Sequence, residues 1–221
     1  MSELRILCYG DSNTYGFDAE DGSRFPTAVR WPAVMAERLD GGMHVIEEGY
    51  NGRTIFDASP YDDVLNGTAY LPGCIDRHNP LHLIIIYLGI NDLFLSPQIT
   101  VKRIAEGLMS LVSISLERSK NSEGKSAKIL IIAPPPVNAA NAYHEYYARE
   151  IENSLQYARE YQRVAKTYGC FFMDAGSHIE AVELDGVHLD ADNHRKLGLC
   201  VADFVKEILN NNEVSREGGA K

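Results

Sequence analysis

Leu83-Ile84-Ile85-Ile86-Tyr87-Leu88 decides the fold class of this chain. The run shows no alternation of apolar and polar positions, so it reads as a strand covered on both faces. Lys128–Ala133 (K-I-L-I-I-A) repeats the pattern, and shorter runs at Leu4–Tyr9, His44–Glu47 and Cys170–Met173 complete five strand-like segments. Helical periodicity lies between them. Val101, Ile104, Leu108, Leu111 and Val112 recur at three- and four-residue steps, as do Leu197, Val201, Phe204, Val205 and Ile208. Val29–Leu39 and Arg149–Tyr168 also read as helical, the second closed by Gly169, a residue suited to the left-handed helix end. Strands alternating with helices predict parallel β-α units. The expected fold is α/β: a three-layer α/β/α, flavodoxin-like domain with a five-stranded parallel sheet in the order 2-1-3-4-5. Its site should lie outside the carboxyl ends of the strands. One domain is expected over residues 1–211, with 212–221 a flexible tail and Ser119–Ser126 a polar loop.

Composition narrows the partners. The net charge of −10 comes with no Lys/Arg cluster, which argues against nucleic acid and anionic membrane surfaces. Leu81–Ile90 is the longest apolar run, is interrupted by His82, and is too short to span a bilayer. Met1-Ser2-Glu3 leads straight into a strand without the pattern of a signal peptide, so a cytoplasmic location is expected. Cys8, Cys74, Cys170 and Cys200 form no C-x-x-C pair and read as buried free thiols. His44, His78, His82, His144 and His178 show no metal-ligand spacing. Asp190, Asp192 and Asn193 beside His194 lack the glycine and distal Glu of an EF-hand loop and read as an acidic helix start. No metal or cofactor is expected, and the sequence leaves a homo-oligomer open.

Four short segments carry the chemistry. Gly10-Asp11-Ser12-Asn13-Thr14-Tyr15-Gly16 follows the first strand, where a sharp turn presents Ser12 at the sheet's carboxyl edge. Asp11 or Ser12 as a plain helix cap is the ordinary reading, and a phosphate loop is a second functional one. Asp185-Gly186-Val187-His188 lies after the fifth strand. A neutral imidazole is a suitable base for a serine hydroxyl, and it needs a group on its other nitrogen to hold one tautomer. Asp185, three residues away on a turn, can supply that group. Asn91, at the end of the third strand in Gly89-Ile90-Asn91-Asp92, can offer its side-chain N–H₂ to an oxyanion. Gly52, in Gly49-Tyr50-Asn51-Gly52-Arg53-Thr54 after the second strand, can bring a backbone N–H to the same point. Each segment alone reads as a turn, a cap or a surface loop. Together they fall where this topology gathers its loops and supply every role of an acyl-transfer site: nucleophile Ser12, base His188, orienter Asp185, and donors Ser12 N–H, Gly52 N–H and Asn91.

In order and spacing the four segments resemble the four blocks of the SGNH (GDSL-type) hydrolases, named for the Ser, Gly, Asn and His seen here as Ser12, Gly52, Asn91 and His188. R-I-L-C-Y-G-D-S, Arg30-Trp31, V-I-E-E-G, N-G-T-A-Y-L-P-G-C, L-I-I-I-Y-L-G-I-N-D, P-P-P and D-A-G-S are similar to the bacterial arylesterase/acyltransferase subgroup. That resemblance implies a metal-independent serine esterase acting on small carboxylic esters, sometimes with acyl transfer to alcohols or peroxide. A carbohydrate O-deacetylase with the same machinery is the nearest alternative. A flavodoxin-like flavin- or phosphate-binding module is the alternative of another class. Asn13 stands where Leu is usual, and Asn51 where Ser or Ala often precedes the glycine. Both departures are expected to reshape the pocket rather than the chemistry. Trp31 and Tyr143–Tyr147 are pocket-lining candidates, although packing is the commoner use of such residues.

Overall fold

Side chains alternate faces along a strand, and here both faces are covered. The computed structural model describes residues 3–39, 41–56 and 64–210. Within it β1 (Leu4–Gly10), β2 (Met43–Gly49), β3 (Leu83–Tyr87), β4 (Lys128–Ala133) and β5 (Phe171–Asp174) form one parallel sheet in the order β2-β1-β3-β4-β5. The expected strand order and fold class are those observed. Leu7, Tyr9, Ile84, Ile86, Ile129 and Ile131 point to one side. There they pack on α3 (Gly67–His78), α4 (Val101–Arg118) and α6 (Tyr157–Tyr168). Their neighbours Ile6, Cys8, Leu83, Ile85, Leu130 and Ile132 point to the other side, onto α2 (Trp31–Arg38) and α7 (Ala191–Asn210). This two-sided burial is why the central strands are apolar without a break.

Two elements differ from the sequence reading. Arg149–Tyr168 is not one helix: α5 (Ala148–Ser154) ends before α6 begins. Ser154 Oγ donates to the Ile151 carbonyl at 2.7 Å and accepts the Val137 N–H at 2.9 Å. The chain is thereby pinned to the loop after β4, and a tight turn from Asn153 to Gln156 intervenes. The second is α3, which was not foreseen. Its sequence holds Gly67, Pro72 and Gly73, all poor helix formers, and tertiary packing of Leu71, Cys74 and Ile75 maintains it. Asn66 caps its start by accepting the Ala69 N–H at 3.1 Å. As expected, α6 ends on Gly169 in the left-handed region. The free thiols Cys8 and Cys74 are buried, whereas Cys170 and Cys200 are only partly so. Trp31 is fully enclosed against Tyr87 and belongs to the core, while Tyr146 faces solvent. No helix among the described residues is long and apolar enough to cross a membrane. The expected tail 212–221 lies outside the described residues.

Candidate active site

Strand register gathers the site. Gly10, the last residue of β1, lies level with Gly49 of β2 on one side and Tyr87 of β3 on the other. Ser12, Gly52 and Asn91 therefore leave three adjacent strands at nearly the same height, at the switch point between β1 and β3. Gly10 has to be a glycine: a Cβ there would fall on Thr14 and on the Tyr87 carbonyl. Asp11 then caps the short helix α1 (Ser12–Tyr15), its carboxylate accepting the Asn13 N–H at 2.9 Å. The capping reading of Asp11 holds, and Ser12 stands at the carboxyl edge of the sheet as expected, although it is buried there rather than exposed.

His188 arrives from the far side of the sheet, on the turn between β5 and α7. Its Nε2 lies 2.9 Å from Ser12 Oγ, and its Nδ1 lies 2.6 Å from Asp185 Oδ2. The other oxygen of Asp185 accepts the N–H groups of Val187 at 2.9 Å and His188 at 3.0 Å, so the turn that carries the imidazole is closed on its own carboxylate. Burial alone would raise the Asp185 pKa. The bond to the imidazole and the two backbone N–H groups more than offset it, and the carboxyl is held below its ordinary value. Phe17 packs on the imidazole with ring centroids 4.7 Å apart. Ser12, His188 and Asp185 thus stand in the linear order that proton transfer from a serine hydroxyl requires.

The oxyanion side is held from below. Asn91 donates one Nδ2 hydrogen to the Arg53 carbonyl at 2.9 Å, which ties its side chain to the loop carrying Gly52 and leaves the second hydrogen for a ligand. Gly52 has φ +75°, a conformation that glycine adopts without strain. Among the described residues, no acceptor takes the Ser12 or Gly52 N–H.

Sequence reasoning assigned no role to the residues that brace these donors. Asp92 is fully buried and accepts the N–H groups of Ile55 and Phe56 at 2.9–3.0 Å, fixing the chain just past Gly52. Burial pushes its carboxyl up to about 7, against the lowering effect of those N–H groups. Arg53 donates to the Gly10 carbonyl at 3.0 Å and the Val64 carbonyl at 3.0 Å, with its guanidinium over the rings of Tyr9 and Tyr70. It joins the ends of β1 and β2. Tyr157 and Tyr161 of α6 donate to the carbonyls of Gly89 and Leu88, both at 2.8 Å, and anchor the segment leading to Asn91. Four-residue spacing on an apolar helix face was the only sequence signal for that pair, and core packing gives the same signal.

A phosphate loop would turn its Ser and Thr hydroxyls toward the ligand. Here Ser12 Oγ is held by His188 and Thr14 is fully buried. Asp190 accepts the Asn193 N–H at 2.8 Å and caps the start of α7, as an acidic helix start should. His78 does acquire metal-ligand neighbours, contrary to its spacing in sequence: Glu48, Cys74 and His78 bring one ligand atom each within 4.8 Å. The Cys74–His78 pair exists only because α3 is a helix. The set is internally satisfied, with His78 Nε2 2.7 Å from Glu48 and Arg77 3.7 Å from the same oxygen. Burial and the Glu48 charge push the Cys74 thiol up to about 12. Protonated thiol, paired carboxylate and nearby guanidinium describe a hydrogen-bonded cluster rather than a cation site.

The model of the GDSL-like Lipase/Acylhydrolase family matches residues 8–196. A solved carbohydrate acetylesterase from Sinorhizobium meliloti is similar over 93% of this chain and 99% of its own, with 34% identity and a TM-score of 0.82. The inhibitor-bound aryl esterase of M. smegmatis is 37% identical over 92% of this chain and 99% of its own, with a TM-score of 0.81. A curated arylesterase of Vibrio mimicus is 31% identical over 88 residues, which span 40% of this chain and 38% of that protein's length.

Proposed function

The chain belongs to the GDSL-like lipase/acylhydrolase family, and from that premise we propose that it is a serine esterase acting on small carboxylic esters through an acyl-enzyme. The observation that carries this reading is the Ser12–His188–Asp185 line, 2.9 Å and 2.6 Å. Ser12 Oγ attacks the ester carbonyl while His188 Nε2 takes its proton. The carbonyl oxygen becomes an oxyanion held by the Ser12 N–H, the Gly52 N–H and Asn91 Nδ2. Collapse expels the alcohol, which leaves with the proton from His188, and Ser12 remains acylated. Water then attacks that acyl group, His188 takes one proton from it, and the acid departs as Ser12 regains its own. An alcohol in place of water gives acyl transfer by the same steps. Asp185 holds the imidazole tautomer and stays ionised throughout.

The likeness to a carbohydrate acetylesterase supports a second reading, deacetylation of sugar esters with the same residues. A chain-length series of p-nitrophenyl esters run beside acetylated sugars separates the two by kcat/KM. Ser12→Ala should abolish turnover of either class while the protein stays folded, because the hydroxyl's hydrogen bond is to His188 and Ser12 is not part of the apolar core. A fluorophosphonate should label wild type at Ser12 in one-to-one ratio. Stoichiometric labelling of a different serine would overturn the assignment.

A further inference from the structure

We propose that Asn13 is a positioning residue that sets the approach of His188 to Ser12, an inference that rests on the esterase reading above. Asn13 follows the nucleophile directly and is buried. Its side-chain Nδ2 donates to the Val187 carbonyl at 3.2 Å, and its Oδ1 accepts the Leu189 N–H at 3.1 Å. Val187 and Leu189 are the two neighbours of His188. One amide therefore brackets the base across more than 170 residues of sequence. The amide's orientation is fixed by chemistry, since a carbonyl only accepts and a backbone N–H only donates.

Mechanical consequences follow from what else holds the turn. The Asp185–His188 pair is closed within its own four residues, and the Val182 N–H and Asn138 N–H bind the turn to neighbouring loops through the His188 and Gly186 carbonyls. Among the described residues, residues 11–16 reach residues 185–189 by three hydrogen bonds: the two from the Asn13 amide, and Ser12–His188 itself. Asn13 is in turn fixed at its own N–H by Asp11. Both ends of the Ser12–His188 contact thus lie one residue from a rigid two-bond clamp. A Leu side chain at this position can make neither bond. Without the clamp the turn can move as a unit, keeping its Asp185–His188 pair and losing its distance to Ser12.

Asn13→Leu and Asn13→Asp test this, with rates normalised to the folded fraction from near-UV circular dichroism. Asn13→Leu should lower kcat and the rate of fluorophosphonate labelling about ten- to a hundredfold, the scale of a small misplacement of reacting groups. KM should change little, and the pH at which kcat/KM rises should stay in place because Asp185 still faces the imidazole. A role confined to stability would move the thermal midpoint and leave these per-molecule rates alone. Asn13→Asp keeps the size and the acceptor for Leu189 but loses the donor to Val187 while ionised, so it should lose kcat by an intermediate factor. It decides the matter if Asn13→Leu does not fold. Wild-type kcat in either folded variant overturns the positioning role alone. Wild-type protein that no fluorophosphonate labels at Ser12 overturns the esterase reading, and this inference with it.

Discussion

Asp185 gives one carboxylate oxygen to two backbone N–H groups and the other to the imidazole, so its charge serves the turn and the base at once. His188→Ala should nearly silence the enzyme. Asp185→Asn should cost less than that but still about 10²–10⁴-fold in kcat/KM. A variant that keeps the wild-type kcat/KM would make Asp185 a turn residue only. Asn91→Ala should lower kcat about a hundred- to a thousandfold with a modest change in KM, since its remaining N–H meets charge only as the oxyanion forms. A KM effect at normal kcat would make Asn91 a ground-state binder. At this scale Ser12, Gly52, Asn91, His188 and Asp185 were readable in sequence, because their four segments, each ordinary alone, supply complementary roles at the loops this topology gathers. Asp92, Arg53, Tyr157 and Tyr161 were not. Their work is to bind backbone carbonyls and N–H groups far along the chain, and no local pattern announces such partners.

Elements hold those residues at the right height, and glycines set how closely they approach. A Cβ on Gly49, at the end of β2, would fall on the backbone of Thr14 and Tyr15 in α1. Gly49→Ala should therefore displace the helix that begins with Ser12. We expect a loss of about 1–3 kcal/mol, seen as a lower thermal midpoint, together with reduced kcat. Gly73, exposed on α3, is the contrasting case: apart from the helix backbone, a Cβ there would meet only the flexible end of the Arg77 side chain, at 3.8 Å. Gly73→Ala should stabilise by up to about 1 kcal/mol through helix propensity, raising the midpoint by roughly 2–4 °C with activity unchanged. A drop in midpoint would contradict the open space seen there. Strands were legible because burial on both faces leaves unbroken apolar runs. α3 was not, because its helicity comes from packing of Leu71, Cys74 and Ile75 against residues the sequence does not place beside them. The break at Leu155 was hidden for the same reason, since it depends on Ser154 meeting Val137.

Across the whole molecule, buried ionisable groups set how stability follows pH. Burial raises Asp11 to about 6, against the lowering effects of the Asn13 N–H and of His188, and raises Asp92 to about 7. Burial also lowers His194, fully enclosed against Phe25, to about 4. An acid whose folded pKa is raised binds a proton on folding between its unfolded and folded values, so its contribution grows as pH falls through that window. A histidine whose folded pKa is depressed does the reverse, and its contribution is lost as pH falls from the unfolded value of about 6.5 toward 4. Between about pH 4 and 6 the two raised carboxyls take up protons on folding and His194 releases one, so these three groups together should make stability rise on acidification. Relief of the net charge of −10 acts in the same direction. Turnover should run the other way, because only neutral imidazole on His188 can take the Ser12 proton. Calorimetry at pH 5 and pH 8 beside ester turnover at the same values should therefore give a higher midpoint and a lower rate in acid. Asp92→Asn should flatten the rise in midpoint by removing one proton from the balance, and His194→Leu should steepen it by removing the opposing one. A wild-type midpoint that falls from pH 8 to pH 5 would mean that the buried carboxylates under the nucleophile are ionised in the fold.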